Sequence, residues 1–151
     1  MSAEDELKSK TQRYPKVMSP DDIKDMPRLE FNKGIETAIF ISQEREDARY
    51  FRQGICYAEP NHEPVNWYQA NFDESQCCLT GMIRLRVQDA NGKEVVLEAG
   101  PGEHIYRPAG YTYTLEATGI QSSFLWTSGP SHGPGIVEAP SYRKALLAQR
   151  G

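Results

Sequence analysis

Residues 74–81, with the sequence ESQCCLTG, and residues 102–113, with the sequence GEHIYRPAGYTY, decide the fold of this chain. In the first stretch six residues separate Glu74 from Gly81, and in the second five residues separate Gly102 from Pro108. Gly110 follows two positions later. Glycine and proline favour tight turns here, because glycine tolerates a positive φ and proline fixes its own φ. The two stretches therefore predict short strands separated by turns.

The chain between residues 35 and 128 continues this pattern as nine strand-like runs separated by turn residues. Polar and apolar residues alternate in RLRVQ (84–88) and YTYTLEA (111–117), which is the period of a strand with one buried face. Asn91-Gly92 lies between two runs and predicts a hairpin with a type I′ turn, since both residues tolerate a positive φ. Closely spaced strands of this kind predict an all-β sandwich or barrel.

Length and composition restrict the class of protein. A chain of 151 residues suits one domain with one hydrophobic core. The net charge is -4 and the basic residues are scattered, so we expect no nucleic-acid partner. No apolar run approaches the roughly 20 residues that span a bilayer, and the charged N-terminus lacks the apolar segment of a signal peptide. We therefore expect a soluble, cytoplasmic protein with no membrane partner.

The regions on either side of the strands have different patterns. We divide the chain into an N-terminal arm with a short helix (1–30), a barrel (31–130), and a Gly/Pro loop with a C-terminal helix (131–151). Ser19 is an N-cap candidate followed by proline and two aspartates, which predicts a helix to about Met26. Ser141 precedes YRKALLAQR, whose apolar side predicts a helix packed outside the barrel or across a dimer.

The spacing of the two opening stretches resembles that of the cupin superfamily. Cupin motifs read G-x5-H-x-H-x3,4-E-x6-G and G-x5-P-x-G-x2-H-x3-N. The chain matches them at Glu74, Gly81, Gly102, Pro108 and Gly110. The histidine pair is replaced by Trp67 and Gln69, or by Tyr68 and Ala70, and Tyr113 replaces the later histidine. The resemblance implies a cupin-type jelly-roll (double-stranded β-helix) barrel, commonly a homodimer. The missing histidines argue against the usual cupin metal site of three histidines and one glutamate.

More closely, the chain is similar to the EutQ-like branch, which is tied to ethanolamine utilisation. The first motif of that branch reads W-x-x-x-Y-D-E, and this chain has WYQANFDE from Trp67 to Glu74, one residue longer. The strand FLWTSGP (124–130) matches the aromatic cluster and proline that close the branch's barrel. The superfamily contains isomerases, lyases, dioxygenases, decarboxylases and non-catalytic binders, so the fold alone does not select a reaction.

Glu74, Tyr113 and His104 are the candidate catalytic residues. Glu74 takes the position of a metal-ligating carboxylate, and without histidines it is interpreted as an acid or base whose pKa burial raises, or as a structural hydrogen-bonding group. The phenol of Tyr113 can donate a proton or stabilise an oxyanion, or only bury its ring. His104 shares a strand face with Tyr106 and could reach the pocket as acid, base or ligand.

Six further residues are candidates for binding a substrate. Gln76 and Cys78 share the strand face of Glu74, so the amide could orient a substrate and the thiol could line the pocket. The alternative is an ordinary core strand. Aromatic side chains of the barrel could exclude water around a few polar groups. The substrate-binding candidates are Trp67, Gln69, Gln76, Cys78, Tyr106 and Trp126.

A metal site requires three or four converging N, O or S ligands, and the motif spacing supplies only Glu74. We therefore expect no cofactor. The alternative is a divalent metal at a divergent site that combines Glu74, Tyr113 and a histidine. His62 and His132 lie in loops, where histidines are usually solvated, although either could reach the barrel mouth.

Together these residues favour an enzyme that acts on a small organic substrate by acid/base chemistry, of the isomerase, lyase or hydrolase type. Two alternatives stay open. One is a non-catalytic small-molecule-binding or accessory cupin, and the other is a metal-dependent dioxygenase or lyase with a divergent site.

Overall fold

The computed structural model describes residues 13–130, apart from the side chain of Glu44. The helices are α1 (Pro20–Lys24) and α2 (Gln43–Glu46). The strands are β1 (Arg28–Asn32), β2 (Ile35–Ile41), β3 (Arg52–Ala58), β4 (Val65–Gln69), β5 (Asp73–Thr80), β6 (Ile83–Gln88), β7 (Glu94–Ala99), β8 (His104–Arg107), β9 (Tyr111–Glu116) and β10 (Ser122–Gly129). The predicted C-terminal helix and His132 lie outside the described residues.

The strands form two antiparallel sheets with one hydrophobic core between them. The larger sheet has the order β1-β2-β3-β10-β5-β8, and the smaller has the order β4-β9-β6-β7. Both sheets contribute to the same core, with Ile39 and Phe124 from the larger and Leu85 and Leu115 from the smaller. The predicted all-β jelly roll is therefore confirmed. Within residues 13–130, no helix is long and apolar enough to cross a membrane.

The predicted N-terminal helix forms as α1. Ser19 and Asp22 make a reciprocal capping box, in which the Ser19 hydroxyl accepts from the Asp22 amide at 3.1 Å and the Asp22 carboxylate accepts from the Ser19 amide at 2.9 Å. Strand structure then begins at Arg28, before the boundary predicted at residue 31. Leu29 and Phe31 of β1 pack against the core, which explains why this polar segment joins the sheet.

The predicted hairpin forms between β6 and β7, but its turn differs from the predicted type I′ turn. Five residues, 89–93, separate the two strands, and of the predicted pair only Gly92 has a positive φ, at 81°. The Asp89 carboxylate accepts from the amides of Asn91 and Lys93 at 2.9 Å each. Because this side chain satisfies the loop amides, the longer turn replaces the two-residue one.

Candidate functional site

The strand ends that carry the motif residues meet at one end of the barrel. Glu74 near the start of β5 pairs with Arg107 at the end of β8. Trp67 of β4 pairs with Tyr113 of β9, and Gln69 ends β4. Strand pairing therefore brings residues that are distant in sequence to one place.

A buried ion pair forms the centre of this cluster. Arg107 donates from Nη1 to Oε2 of Glu74 at 2.5 Å and from Nη2 to Oε1 of Gln69 at 2.6 Å. The Gln69 amide nitrogen donates to the carbonyl oxygens of Phe72 and Arg107, each at 2.8 Å. Only 2% of Arg107 is exposed, and Gln69 is fully buried. The guanidinium is thus fixed in position and removed from water.

Two aromatic rings complete the surroundings of the guanidinium. Its carbon, Cζ, lies 4.3 Å from the ring centroid of Trp67 and 4.7 Å from that of Tyr113, within the range of a cation–π interaction. Tyr68 is largely exposed and Ala70 is exposed as well, so Trp67 and Gln69 are the pair that faces inward. This decides between the two spacings that the sequence left open.

The Tyr113 hydroxyl is bound to the backbone. It donates to the carbonyl oxygen of Pro108 at 2.6 Å, and the residue is almost fully buried. Burial raises the pKa of Tyr113 to about 12, which keeps the phenol protonated at neutral pH. The Tyr113 hydroxyl, predicted from the sequence as a possible proton donor, therefore donates its hydrogen bond to Pro108 and stabilises the turn before β9.

Glu74 is bound through one oxygen only. Its Oε2 accepts from Arg107 and from the Gln76 amide nitrogen at 3.2 Å, while Oε1 accepts from none of the residues in the range 13–130. The side chain is 13% exposed. Burial raises the pKa of Glu74 above its ordinary value, and Arg107, Arg52 and the Gln76 hydrogen bond oppose that rise. This arrangement gives an oriented carboxylate with one oxygen that no described residue binds.

Two polar atoms beside this carboxylate are buried without a hydrogen-bond partner in the described part of the chain. They are Oε1 of Gln76 and Nε of Arg107, an acceptor and a donor. Buried polar groups are nearly always paired, so each is a place where a water molecule or a ligand group would be stabilised. Trp126 lies beside Gln76 in the sheet and donates from Nε1 to the Thr37 hydroxyl at 3.0 Å.

Three of the predicted site residues are not brought to this cluster. His104 and Tyr106 alternate with the buried Ile105 and Arg107, and both are exposed on the outer face of β8. The Tyr106 hydroxyl donates to Asp73 at 3.3 Å. Cys78 does share the inward face of Glu74 and Gln76, as predicted, but it lies about 13 Å along β5 from Glu74 and packs in the core.

His62 lies at the opposite end of the barrel. It is buried in the loop before β4, and its Nδ1 is 2.7 Å from the Glu63 carbonyl oxygen. A cavity of about 10 Å³ there is lined by His62, Ile83, Leu115 and Phe124 among others. This volume holds no more than one water molecule, so His62 contributes to packing at an end remote from Glu74.

Arg107 and Arg52 are the site residues that the sequence motifs did not identify. Arg52, buried at the start of β3, donates from Nε to the Ser128 hydroxyl at 3.0 Å, and its charge acts on Glu74. The sequence does contain evidence that Arg107 faces inward. Arg107 precedes Pro108 of the second motif, and it lies two residues after the apolar Ile105, on the same strand face. A basic residue on an inward face indicates a buried partner.

The residues of this cluster do not fit a divalent metal ion. No group of three or more His, Cys, Asp and Glu side chains within residues 13–130 could hold one. The Trp67 ring offers no lone pair, and the Tyr113 hydroxyl already donates to Pro108. The Arg107 cation neutralises the one carboxylate, so a second cation at the same place would be repelled.

No protein-family model and no curated protein matches the chain. Solved structures do match. A variant of Bacillus subtilis oxalate decarboxylase has a TM-score of 0.62 and 16% identity, over 81% of this chain and 32% of that chain. A structure of the same enzyme, used to assign its Mn(II) centres, has a TM-score of 0.62 and 17% identity, over 81% and 32%. Clostridium difficile EutQ has a TM-score of 0.49 and 18% identity, over 64% and 63%.

The chain therefore spans about a third of the oxalate decarboxylase chains that it matches, and it shares their cupin fold. This confirms the fold predicted from the two motifs.

Proposed function

We propose that this cupin-fold chain acts on a small organic substrate by acid/base chemistry at Glu74. One observation carries the proposal: the carboxylate is held through Oε2, while Oε1 is unbound within residues 13–130 and the side chain is partly exposed. A general base needs this combination, because it must be oriented and must still reach the proton that it removes.

The electrostatics of the cluster support this role. Burial raises the pKa of Glu74, which brings a carboxylate closer to the proton affinity that is useful near neutral pH. Arg107 and Gln76 fix the carboxylate by hydrogen bonds, so its orientation costs little when a substrate binds. Both residues act as positioning groups.

The proposed reactions, isomerisation and elimination, each need one proton to move between the substrate and Glu74. Oε1 would accept a proton from a C–H or O–H group of the substrate. The protonated carboxyl would then return it to another substrate atom in an isomerisation, or pass it to the leaving group in an elimination. Gln69 and Trp67 would form the wall behind the carboxylate. No step requires a metal ion.

Hydrogen–deuterium exchange tests this proposal across several classes of candidate substrate. Small oxo acids, hydroxy acids and amines are incubated with the protein in D2O, and NMR follows the replacement of C–H by C–D. We expect exchange in one class of compound with the natural protein and its loss in Glu74→Gln. Glu98→Gln, which changes an exposed carboxylate on β7, is the matched control and should exchange normally. Equal exchange in Glu74→Gln and in the natural protein would refute the role of Glu74 as a general base.

A second candidate function is small-molecule binding without turnover. The observation in its favour is the near-complete burial of Arg107, Gln69 and Tyr113, which makes the centre of the cluster rigid. A ligand that binds only the folded state raises the melting temperature by mass action. A compound of the panel that raises the melting temperature but undergoes no exchange would favour this function over catalysis.

A further inference from the structure

The guanidinium of Arg107 occupies a site that has the composition of a cation-binding cage. A carboxylate oxygen, an amide oxygen and two aromatic ring faces surround it, from Glu74, Gln69, Trp67 and Tyr113. Each of these groups attracts a cation: the oxygens through their partial or full negative charge, and the rings through the negative potential of their faces. The four groups come from three strands and converge on one ion.

These four side chains also stand at the four positions where the cupin motifs place metal ligands. None of the four residues is a histidine, so the usual metal-ligand set is missing there. The structure instead places Nη1 of Arg107 at 2.5 Å from Oε2 of Glu74. We propose that the cluster is a cation cage whose resident cation is the Arg107 guanidinium, in place of a metal ion. The proposal goes beyond the function proposed above and holds for catalysis or for binding alone.

The chemistry of the cage selects a guanidinium over other cations. A guanidinium is flat, so it can stack against the rings of Trp67 and Tyr113 while its edge donates to oxygen atoms. It is also weakly hydrated compared with an ammonium or a divalent ion, so its burial costs less. A divalent ion is held in proteins by three or more converging ligands, and within residues 13–130 no group of three or more His, Cys, Asp and Glu side chains could hold one. The Gln69 amide oxygen in this cage already accepts from the guanidinium.

Removal of the guanidinium provides the test. The substitution Arg107→Ala should leave a cavity with an unbalanced buried carboxylate, and should lower the melting temperature by roughly 10 °C. Methylguanidinium chloride at millimolar concentration should fill that cavity and restore several degrees, because it binds the folded state only. Manganese(II) chloride, and sodium chloride at matched ionic strength, should restore nothing.

Two controls separate the cage from a general effect of the added ion. Arg86→Ala removes a surface arginine that is paired with Glu116 at 2.7 Å, and methylguanidinium should not raise its melting temperature. The double substitution Arg107→Ala with Glu74→Gln removes the carboxylate of the cage, and methylguanidinium should have no effect there either.

The proposal is overturned if methylguanidinium fails to stabilise Arg107→Ala, or if manganese(II) stabilises it equally. One bound divalent metal per chain in the natural protein, lost in Glu74→Gln, would also overturn it. If Arg107→Ala does not fold, the melting temperature of Arg107→Lys tests the proposal instead. Lysine keeps the positive charge but lacks the flat, forked guanidinium group. A lower melting temperature for Arg107→Lys supports the cage, and one equal to that of the natural protein contradicts it.

Discussion

The burial of Glu74 should make the free energy of unfolding depend on pH. Burial raises its pKa above the ordinary value of 4.5, although Arg107 and Arg52 oppose that rise. A carboxyl group with a raised pKa binds its proton more tightly in the folded state than in the unfolded chain. Its contribution to the free energy of unfolding is therefore fully present below pH 4.5 and is lost as the pH rises through the folded pKa.

The comparison of the natural protein with Glu74→Gln isolates this contribution, since glutamine does not titrate. We expect the free energy of unfolding of the natural protein to fall relative to that of the variant as the pH rises above 4.5. Urea unfolding at a series of pH values measures the free energy of unfolding of both proteins. If the natural protein gained relative stability over this range, the charge of Arg107 would outweigh burial and the pKa of Glu74 would be lowered.

The residues of the cluster were only partly predictable from the sequence. The resemblance to the cupin motifs pointed to Glu74 and Tyr113, and it left Trp67 and Gln69 as one of two pairs for the histidine positions. It could not identify Arg107 as their common partner, since that contact depends on the pairing of β5 with β8. His104 was misplaced for the related reason that the face of a short strand is set by its partners.

At the scale of the elements, the packing of β3 depends on one glycine. A Cβ added at Gly54 would lie 2.5 Å from Cζ2 of Trp126 and 2.7 Å from the carbonyl oxygen of Ala38. These neighbours are a buried ring and a strand backbone, so neither can move away cheaply. Gly54→Ala should therefore destabilise the fold by about 1–3 kcal/mol through overpacking.

Chemical denaturation measures that loss, with Gly100→Ala as the control. A Cβ at Gly100 would meet its nearest neighbour at 3.4 Å, and Gly100 is not among the glycines with a positive φ. The control should therefore retain nearly the natural stability. A Gly54→Ala variant as stable as Gly100→Ala would mean that Trp126 can shift without cost.

Nine of the ten described strands, β2 to β10, were predictable from alternation and turn residues, whereas details that depend on side-chain contacts were not. The hairpin at Asn91-Gly92 was correctly located, but the hydrogen bonds of Asp89 select a longer turn. Strand β1 was missed because only Leu29 and Phe31 among its five residues are apolar. Its strand conformation comes from pairing with β2, a contact that local sequence does not encode.

At the scale of the whole molecule, the two ends of the barrel differ in character. Polar and charged side chains gather where Arg52 pairs with Ser128, and apolar packing with a cavity of about 10 Å³ lies where Ala58 pairs with Ser122. The strands of the larger sheet run from one end to the other, so they separate the Glu74 cluster from His62. The proposed function therefore requires that a substrate enter at the Glu74 end.

The smaller sheet suggests where a second copy of the chain would bind. Strand β7 is its edge strand, paired only with β6 among the described strands, and Val95, Val96 and Leu97 are 52%, 42% and 37% exposed. An edge strand with exposed apolar side chains favours association. We therefore expect a homodimer that buries β7.

Light scattering after size-exclusion chromatography tests this expectation. The natural protein should have twice the monomer mass of 17.1 kDa, and Val96→Lys should have the monomer mass, because a charge at the centre of β7 would be desolvated in the dimer. Ile120→Lys changes an exposed apolar residue in the loop before β10 and should leave the dimer intact. A natural protein that is monomeric, or a Val96→Lys variant that stays dimeric, would place β7 outside any interface between copies.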